Sequence, residues 1–429
     1  MIPQFLIAAP TSGSGKTTVS RGLMALLRRH GYEVQPYKCG PDYIDTKYHT
    51  AVCGRPSVNL DGFMASSGHL QELYVRYAQG ATACIVEGMM GMYDGYDRDQ
   101  GSAASISSLL HLPVLLVVDA RSAGYSMAPL LKGFLHFRPE VEVVGVLFNR
   151  VGSDRHREML QQVCDDLQVP CIGFLPRRAE LEQGSRYLGL DFSCSSGGDA
   201  IESLVELLER NVDWQRLLQM TARPLPEVPS QRTLAPWPRR HILVARDEEA
   251  FSFLYQEHID LLKACGKVSF FRPADDEPLP DDTDLLYLPG GYPEKHREEL
   301  LAARRRLNSI HDYIEQGGAT LAECGGMIYL SQGWADVLPI RISNEAGDRR
   351  LSLGYRQATY RGQALRGHEF HYTQMVECAA ECRSVAQLYD ARGREVSSPL
   401  FRYRNLLAGY THLYWGETDL KQLFERETR

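Results

Sequence analysis

Two short segments at opposite ends of the chain carry residues whose types and spacing suit chemistry. In AECGGMIYL at 322–330, Cys324 follows the apolar run GATLA, precedes Gly325 and Gly326, and leads into a stretch of helical character. This is the pattern of a thiol held on a sharp strand-to-helix turn, where small neighbours give room and a helix N-terminus favours the thiolate. A reactive thiol implies acyl transfer. In AAPTSGSGKTT at 8–18 the glycines let backbone amides converge on phosphate, with Thr11, Gly13, Ser14, Gly15 and Thr18 shaping the loop. Lys16 is placed to neutralise terminal phosphates and Thr17 to offer its hydroxyl to magnesium.

Carboxylates cluster after the next strand-like runs. YKCGPDYIDTKYH at 37–49 brings Lys38, Asp42 and Asp45 close together, Glu87 ends the apolar run ACIVE, and Asp94 follows in EGMMGMYDG. Such residues beside a phosphate loop suit magnesium binding or catalysis, with Asp45 and Glu87 as the metal candidates beside Thr17. Capping and turn formation is the competing reading for Asp42, Asp45 and Asp94. Asn149, at the end of VEVVGVLFN, is a candidate adenine reader or a turn former. Pro10 replaces the first glycine of the usual P-loop pattern, a departure similar to the P-loop branch that includes dethiobiotin synthetase.

For the thiol, LYLPGGYPE at 286–294 offers the amides of Gly290 and Gly291 to an oxyanion, and Gly325 a third. His412, in GYTHLYW, is the candidate base. Tyr414 stands where the common class I glutaminase triad has a glutamate, and Glu417 lacks the spacing, so a Cys-His dyad is expected. His368 and His371 in GHEFHYT are three apart, whereas the metalloprotease helix requires HExxH. They are expected in structural, interface or substrate-contact roles.

These groups need scaffolds. QFLIAA at 4–9, ACIVE at 83–87, PVLLVVDA at 113–120 and VEVVGVLFN at 141–149 alternate with helical patterns such as VSRGLMALLRRHG, which predicts an α/β domain with a parallel sheet covered on both faces. Proline-rich 222–239 lacks apolar periodicity and separates domains 1–221 and 240–429. Beyond it, HILVARD, a helical stretch through FSFLYQEHIDLLKACG, VSFFRP and DLLYLPGG restart the βαβ rhythm.

The 429 residues exceed one ordinary core, and 44% hydrophobic with 24% charged residues is a globular composition. A formal charge of -7 disfavours nucleic acid, and Arg304 to Arg306 are expected on solvated helix faces. The ten cysteines have no CxxC spacing and read as reduced thiols. MIPQFLIAAP lacks a leader pattern, and no apolar run approaches the roughly 18 residues of a membrane span, so a cytoplasmic protein without membrane partners is expected.

Together AAPTSGSGKTT, GPDYID, NLDGFM, EGMMGMYDG, LYLPGGYPE, AECGGMIYL, GHEFHYT and GYTHLYW closely resemble the cobyrinic acid a,c-diamide synthase family over nearly the whole chain. The resemblance implies an N-terminal P-loop, dethiobiotin synthetase-like domain that makes amides with ATP, and a C-terminal class I-like glutamine amidotransferase domain. It further implies Mg2+, ATP and L-glutamine, and the a and c acetates of cobyrinic acid or a related tetrapyrrole as acceptors in cobalamin biosynthesis. Tyr43 and Ile44, with Asp42 and Asp45, fall at the substrate and ATP cleft. Glu87 and Asp94 become magnesium or catalytic carboxylates, and Cys324 the thioester former. Lys38, Lys47, Arg55, Arg177 and Arg178 are candidate contacts for substrate carboxylates, and a homodimer stays open. Hydrogenobyrinic acid and nickel-sirohydrochlorin are alternative rings. A regulatory P-loop ATPase with an inert amidotransferase-like module is the non-enzymatic alternative, opposed by the intact Lys16, Thr17 and Cys324.

Overall fold

The structure, a computed structural model, describes residues 1–177, 198–227, 237–380 and 382–424. Arg178 and residues 228–236 of the expected linker lie outside them. The chain divides into two compact units, Met1–Gln231 and Arg232–Arg429.

In the first unit seven strands pair in parallel in the order Val58–Leu60, Val34–Cys39, Ala83–Glu87, Ile2–Ala8, Val114–Asp119, Val143–Val151 and Cys171–Pro176. Both faces of the central strand are closed: Phe5, Leu6, Ile7 and Ala8 are all fully buried. That explains why these segments read as continuous apolar runs instead of alternating ones. Phe5 and Ile7 pack with Leu23, Leu27 and Leu208 of the covering helices Lys16–Arg29 and Gly198–Asn211. Ser66, Ser102 and Ser153 cap the helices that begin at Ser67, Ala103 and Asp154, each hydroxyl accepting from a backbone amide; such a cap is worth about 1 kcal/mol. The strand order reverses about Ile2–Ala8, and functional groups gather beyond the C-terminal ends of the strands, as expected of open α/β sheets.

The second unit has a six-stranded sheet in the order Gly266–Phe271, Arg239–Ala245, Leu285–Leu288, Thr320–Glu323, Leu406–Gly409 and Leu400–Tyr403. Only the last pairing is antiparallel. Alternate residues feed two cores. Leu243, Leu286 and Ala322 join Phe251, Met327 and Tyr329 on one face, while Ile242, Val244, Tyr287 and Leu321 join Trp415 and Leu423 on the other. A separate antiparallel sheet contains Ser352–Tyr360, Gln363–His371 and His412–Leu413.

Several local expectations change. Ala222 and Arg223 pair with Pro3 and Ile2 of the first sheet, and Arg239 already begins a strand, so the expected linker is narrower at both ends. The helix expected through 251–265 starts only at Gln256, because the amides of Ser252 and Phe253 are turned to the carbonyl of Gly290. Arg306 is buried and lies 4.7 Å over the Phe271 ring, unlike the exposed Arg304 and Arg305. The cysteines among the described residues are free thiols. No described helix is long and apolar enough to cross a membrane.

Candidate active sites

The loop after Ile2–Ala8 turns through Gly13 and Gly15, whose φ values of 78° and 98° favour glycine. It is braced from the neighbouring strand ends. Asn149 Nδ2 donates to the Ser14 carbonyl at 2.9 Å, and Arg150 donates to the Gly13 carbonyl at 2.8 Å while pairing with Asp119. A Cβ on Gly15 would sit 2.2 Å from Asn149 Nδ2. The Ser14 hydroxyl donates to the Thr11 carbonyl at 2.9 Å, closing the turn. Asn149 thus supports the loop in this conformation. Thr17 and Thr18 open the helix Lys16–Arg29.

Strand register brings Lys38 opposite Glu87, and Glu87 opposite Ile7. Lys38 Nζ lies 2.7 Å from Asp45 Oδ2 and 2.8 Å from Glu87 Oε1. Burial alone would discharge this lysine, but Asp45 and Glu87 outweigh it and raise its pKa. Burial likewise opposes ionisation of Glu87, yet Lys38 holds its carboxyl below the usual range. Thr17 Oγ1 donates to Glu87 Oε1 at 2.7 Å. Lys16 donates to the Met90 carbonyl; burial and then the charge of Lys38 lower its pKa to about 8.

Asp42 and Asp94 also accept hydrogen bonds from backbone amides. Asp42 Oδ1 accepts from the amides of Ile44 and Asp45, both at 2.8 Å, and starts the helix Asp45–Cys53. Burial, then the charge of Asp45, raises its pKa. Tyr43 is buried beside it, while Ile44 supplies the N-cap position. Asp94 is exposed and closes a turn by accepting from Gly91 N at 2.9 Å. Arg55 is turned away into Gln35 and the carbonyls of Tyr77 and Gln79, which corrects its expected role as a substrate contact. Arg177 is exposed and Lys47 half-buried.

Two residues that hold the site together escaped the sequence reading. His49 Nε2 lies 2.7 Å from Glu87 Oε2, and its Nδ1 3.3 Å from Ser57 Oγ. Its spacing of four from Asp45 on one helix face was the available signal. Asn59, inside NLDGFM, donates to the carbonyls of Gly40 and Asp42 at 2.8 Å each and so anchors the acidic loop.

In the second unit Cys324 adopts φ 47°, ψ -103°, a conformation rare for a side chain larger than glycine and suited to a nucleophile turn. Its amide donates to the Gly409 carbonyl at 2.7 Å, tying the end of Thr320–Glu323 to the strand that leads to His412. Added Cβ atoms at Gly325 and Gly326 would fall 2.9 Å from Gly291 N and 2.0 Å from the Leu288 carbonyl oxygen. A Cβ at Gly290 would lie 2.0 Å from Cε1 of His412. The amides of Gly325 and Gly291 face the thiol and favour its ionised form, so thiol, glycine amides and imidazole converge at the ends of three adjacent strands.

The expected stabilised thiolate is not the resting state. Burial, then the carboxylate of Glu294, pushes the Cys324 thiol up, and the five-residue helix Gly325–Tyr329 with its amides does not compensate. Burial, then His368 and His371, lowers the His412 imidazole to about 3. The pair therefore rests as thiol and neutral imidazole. His368 is the register partner of His412, and His371 stacks on Tyr410 at 3.8 Å, so the GHEFHYT histidines belong to this neighbourhood. Tyr414 turns its hydroxyl to Glu257, and Glu417 is exposed.

Residues 241–420 match the CobB/CobQ-like glutamine amidotransferase domain, and residues 5–188 the CobQ/CobB/MinD/ParA nucleotide binding domain. Fold and sites therefore define a nucleotide-binding unit and a glutamine amidotransferase unit in one chain. The chain is 36% identical to the cobyrinate a,c-diamide synthase of Priestia megaterium, covering 97% of this chain and 94% of that protein. It is 35% identical to the cobyrinate a,c-diamide synthase of Caldanaerobacter subterraneus, with 98% of each covered. It is 37% identical to the hydrogenobyrinate a,c-diamide synthase of Streptomyces coelicolor, covering 96% and 95%. The chain belongs to the cobyrinate and hydrogenobyrinate a,c-diamide synthase family.

Proposed function

We propose that this protein is an ATP- and glutamine-dependent ligase that amidates the a and c acetate carboxylates of cobyrinic acid in corrinoid biosynthesis. The observation that carries this reading is the buried cluster of Lys38, Asp45 and Glu87, joined by half-buried Thr17 beside a P-loop, in a chain that also holds a thiol on a glycine-rich turn. A carboxylate is a poor acyl donor. Phosphorylation supplies the missing leaving group: a carboxylate oxygen attacks the γ-phosphorus of ATP, ADP departs, and ammonia then attacks the acyl carbon and expels phosphate.

Lys16 and the P-loop amides offset charge on the transferring group. Among the described residues no three His, Cys, Asp or Glu side chains form a metal cluster. Mg2+ held mostly by phosphates and water needs only one or two protein oxygens, and Thr17 Oγ1 with Glu87 Oε1, 2.7 Å apart, fits that demand. Held there, magnesium would supply positive charge against the charge developing on the transferring phosphoryl group. Asp45 connects to Glu87 through Lys38 and keeps that cation in place.

In the glutaminase unit the Cys324 sulfur attacks the donor amide carbon as His412 accepts its proton. The Gly291 and Gly325 amides receive the oxyanion, ammonia leaves with a proton from His412, and water releases glutamate from the thioester. Free thiols fit a reducing cytoplasm.

The test is incubation of the full chain with ATP, glutamine and, separately, cobyrinic acid, hydrogenobyrinic acid and nickel-sirohydrochlorin. Mass spectrometry should read two carboxylate-to-carboxamide exchanges on cobyrinic acid. Exchange on another ring alone would reassign the acceptor, and none on any ring would overturn the reading.

A further inference from the structure

Glu294 is a carboxyl group in a costly place, where burial raises its own pKa. It lies in the short turn Pro293–His296, three residues beyond Gly291, whose amide faces the Cys324 thiol. Pro293 of the same turn closes on Gly325, where an added Cβ would meet Pro293 Cδ at 2.9 Å. Glu294 Oε2 is sealed from solvent and has no hydrogen-bond partner among the described residues. The adjacent Lys295 is committed to Glu249 Oε1 at 2.6 Å. A buried carboxylate oxygen without a donor is costly. This one also works against the thiol beside it, since a nearby negative charge disfavours thiolate.

Both costs disappear if a cation arrives with the substrate. In glutamine the α-ammonium is four bonds from the amide carbon that Cys324 attacks, about 5 Å away in an extended conformer. We propose that Glu294 accepts the α-ammonium of the donor glutamine, and that donor binding thereby cancels the negative charge facing the Cys324 thiol. The inference rests on the glutaminase reading of this unit and adds a determinant of donor recognition. No covalent change occurs at Glu294.

Glutaramic acid, which is glutamine without its α-amino group, tests this on the unaltered protein. Ammonia release from glutamine should exceed that from glutaramic acid by roughly 10- to 100-fold in kcat/KM, the range of a charge-assisted hydrogen bond. Glu294→Gln should raise the glutamine KM by a similar factor and shrink this preference, and Glu294→Asp should restore part of it. Cys324 in Glu294→Gln should also react faster with iodoacetamide without donor, read on its own peptide by mass spectrometry. Equal use of both donors by the unaltered protein would overturn the proposal even if no variant folds. A preference unchanged in a folded Glu294→Gln would overturn it as well. Absence of ammonia release from glutamine in the unaltered protein would count against the glutaminase reading itself.

Discussion

Nε2 of His49 and Oε2 of Glu87 are 2.7 Å apart, and neither side chain reaches solvent. The other oxygen of Glu87 takes Lys38 at 2.8 Å and Thr17 at 2.7 Å. Three donors on one buried carboxylate fix its charge and its direction together. A carboxylate so held can face a phosphate loop without reorganising at the moment of reaction.

Glu87→Gln should therefore lower amidation by roughly 100-fold or more with glutamine and with ammonium chloride alike, the scale of losing one preorganised electrostatic group. Removing one member of a buried ion pair also costs about 3–5 kcal/mol of stability, so circular dichroism must accompany the assay. Steady-state rates with both nitrogen donors provide the check. A folded variant with unaltered rates would remove Glu87 from the mechanism.

Cys324→Ala separates the two centres. With no sulfur to form a thioester, glutamine-dependent amidation should vanish, while high ammonium chloride still supports amidation through the P-loop unit. The readout is carboxamide formation with each nitrogen source. Loss of both activities in a folded protein would mean that the thiol region also serves the synthetase chemistry.

Gly290→Ala offers a steric test of the same unit. Its Cβ would fall 2.0 Å from His412 Cε1, far inside contact distance, so the imidazole must move or the loop must open. The Gly290 carbonyl is held by two amides, of Ser252 at 2.9 Å and Phe253 at 3.0 Å, which resists loop movement. The ring should give way, with glutamine hydrolysis falling by about 100-fold, the scale of a small misplacement of a catalytic group. Ammonium-driven amidation should be spared. Normal hydrolysis would show that His412 tolerates displacement and is not the base.

The sequence made legible what local rules govern. Glycine spacing announced the P-loop and the thiol turn, because few residues other than glycine tolerate φ values like those of Gly13 and Gly15 or the approach of the Leu288 carbonyl to Gly326. Continuous apolar runs announced the central strands. Pairings made by register were hidden: His49 meets Glu87 across 38 residues, and His368 meets His412 across an antiparallel pair. Electrostatic sign was hidden too. A helix N-terminus predicts a favoured thiolate, but burial and Glu294 dominate at Cys324, and neither can be seen without tertiary packing.

Glu323, directly before the nucleophile, gives a prediction with a definite sign. Its Oε2 accepts from the Tyr287 hydroxyl at 2.7 Å and its Oε1 from the Leu413 amide at 3.0 Å. Burial outweighs its hydrogen bonds and raises its pKa from 4.5 to about 8. The folded protein thus holds a proton that the unfolded chain releases. The stabilisation is complete below the unfolded value of 4.5 and is lost as pH rises through about 8. Melting temperature should accordingly fall between about pH 5 and pH 8.5 through this group. Glu323→Gln keeps the shape and a neutral group: its carbonyl accepts from Leu413, and its amide donates to the Tyr287 oxygen once that hydroxyl rotates. The variant should match the parent at low pH and exceed it at high pH, flattening the profile. Thermal melts at several pH values decide the matter, and parallel profiles for the two proteins would show that Glu323 is already ionised beneath the thiol.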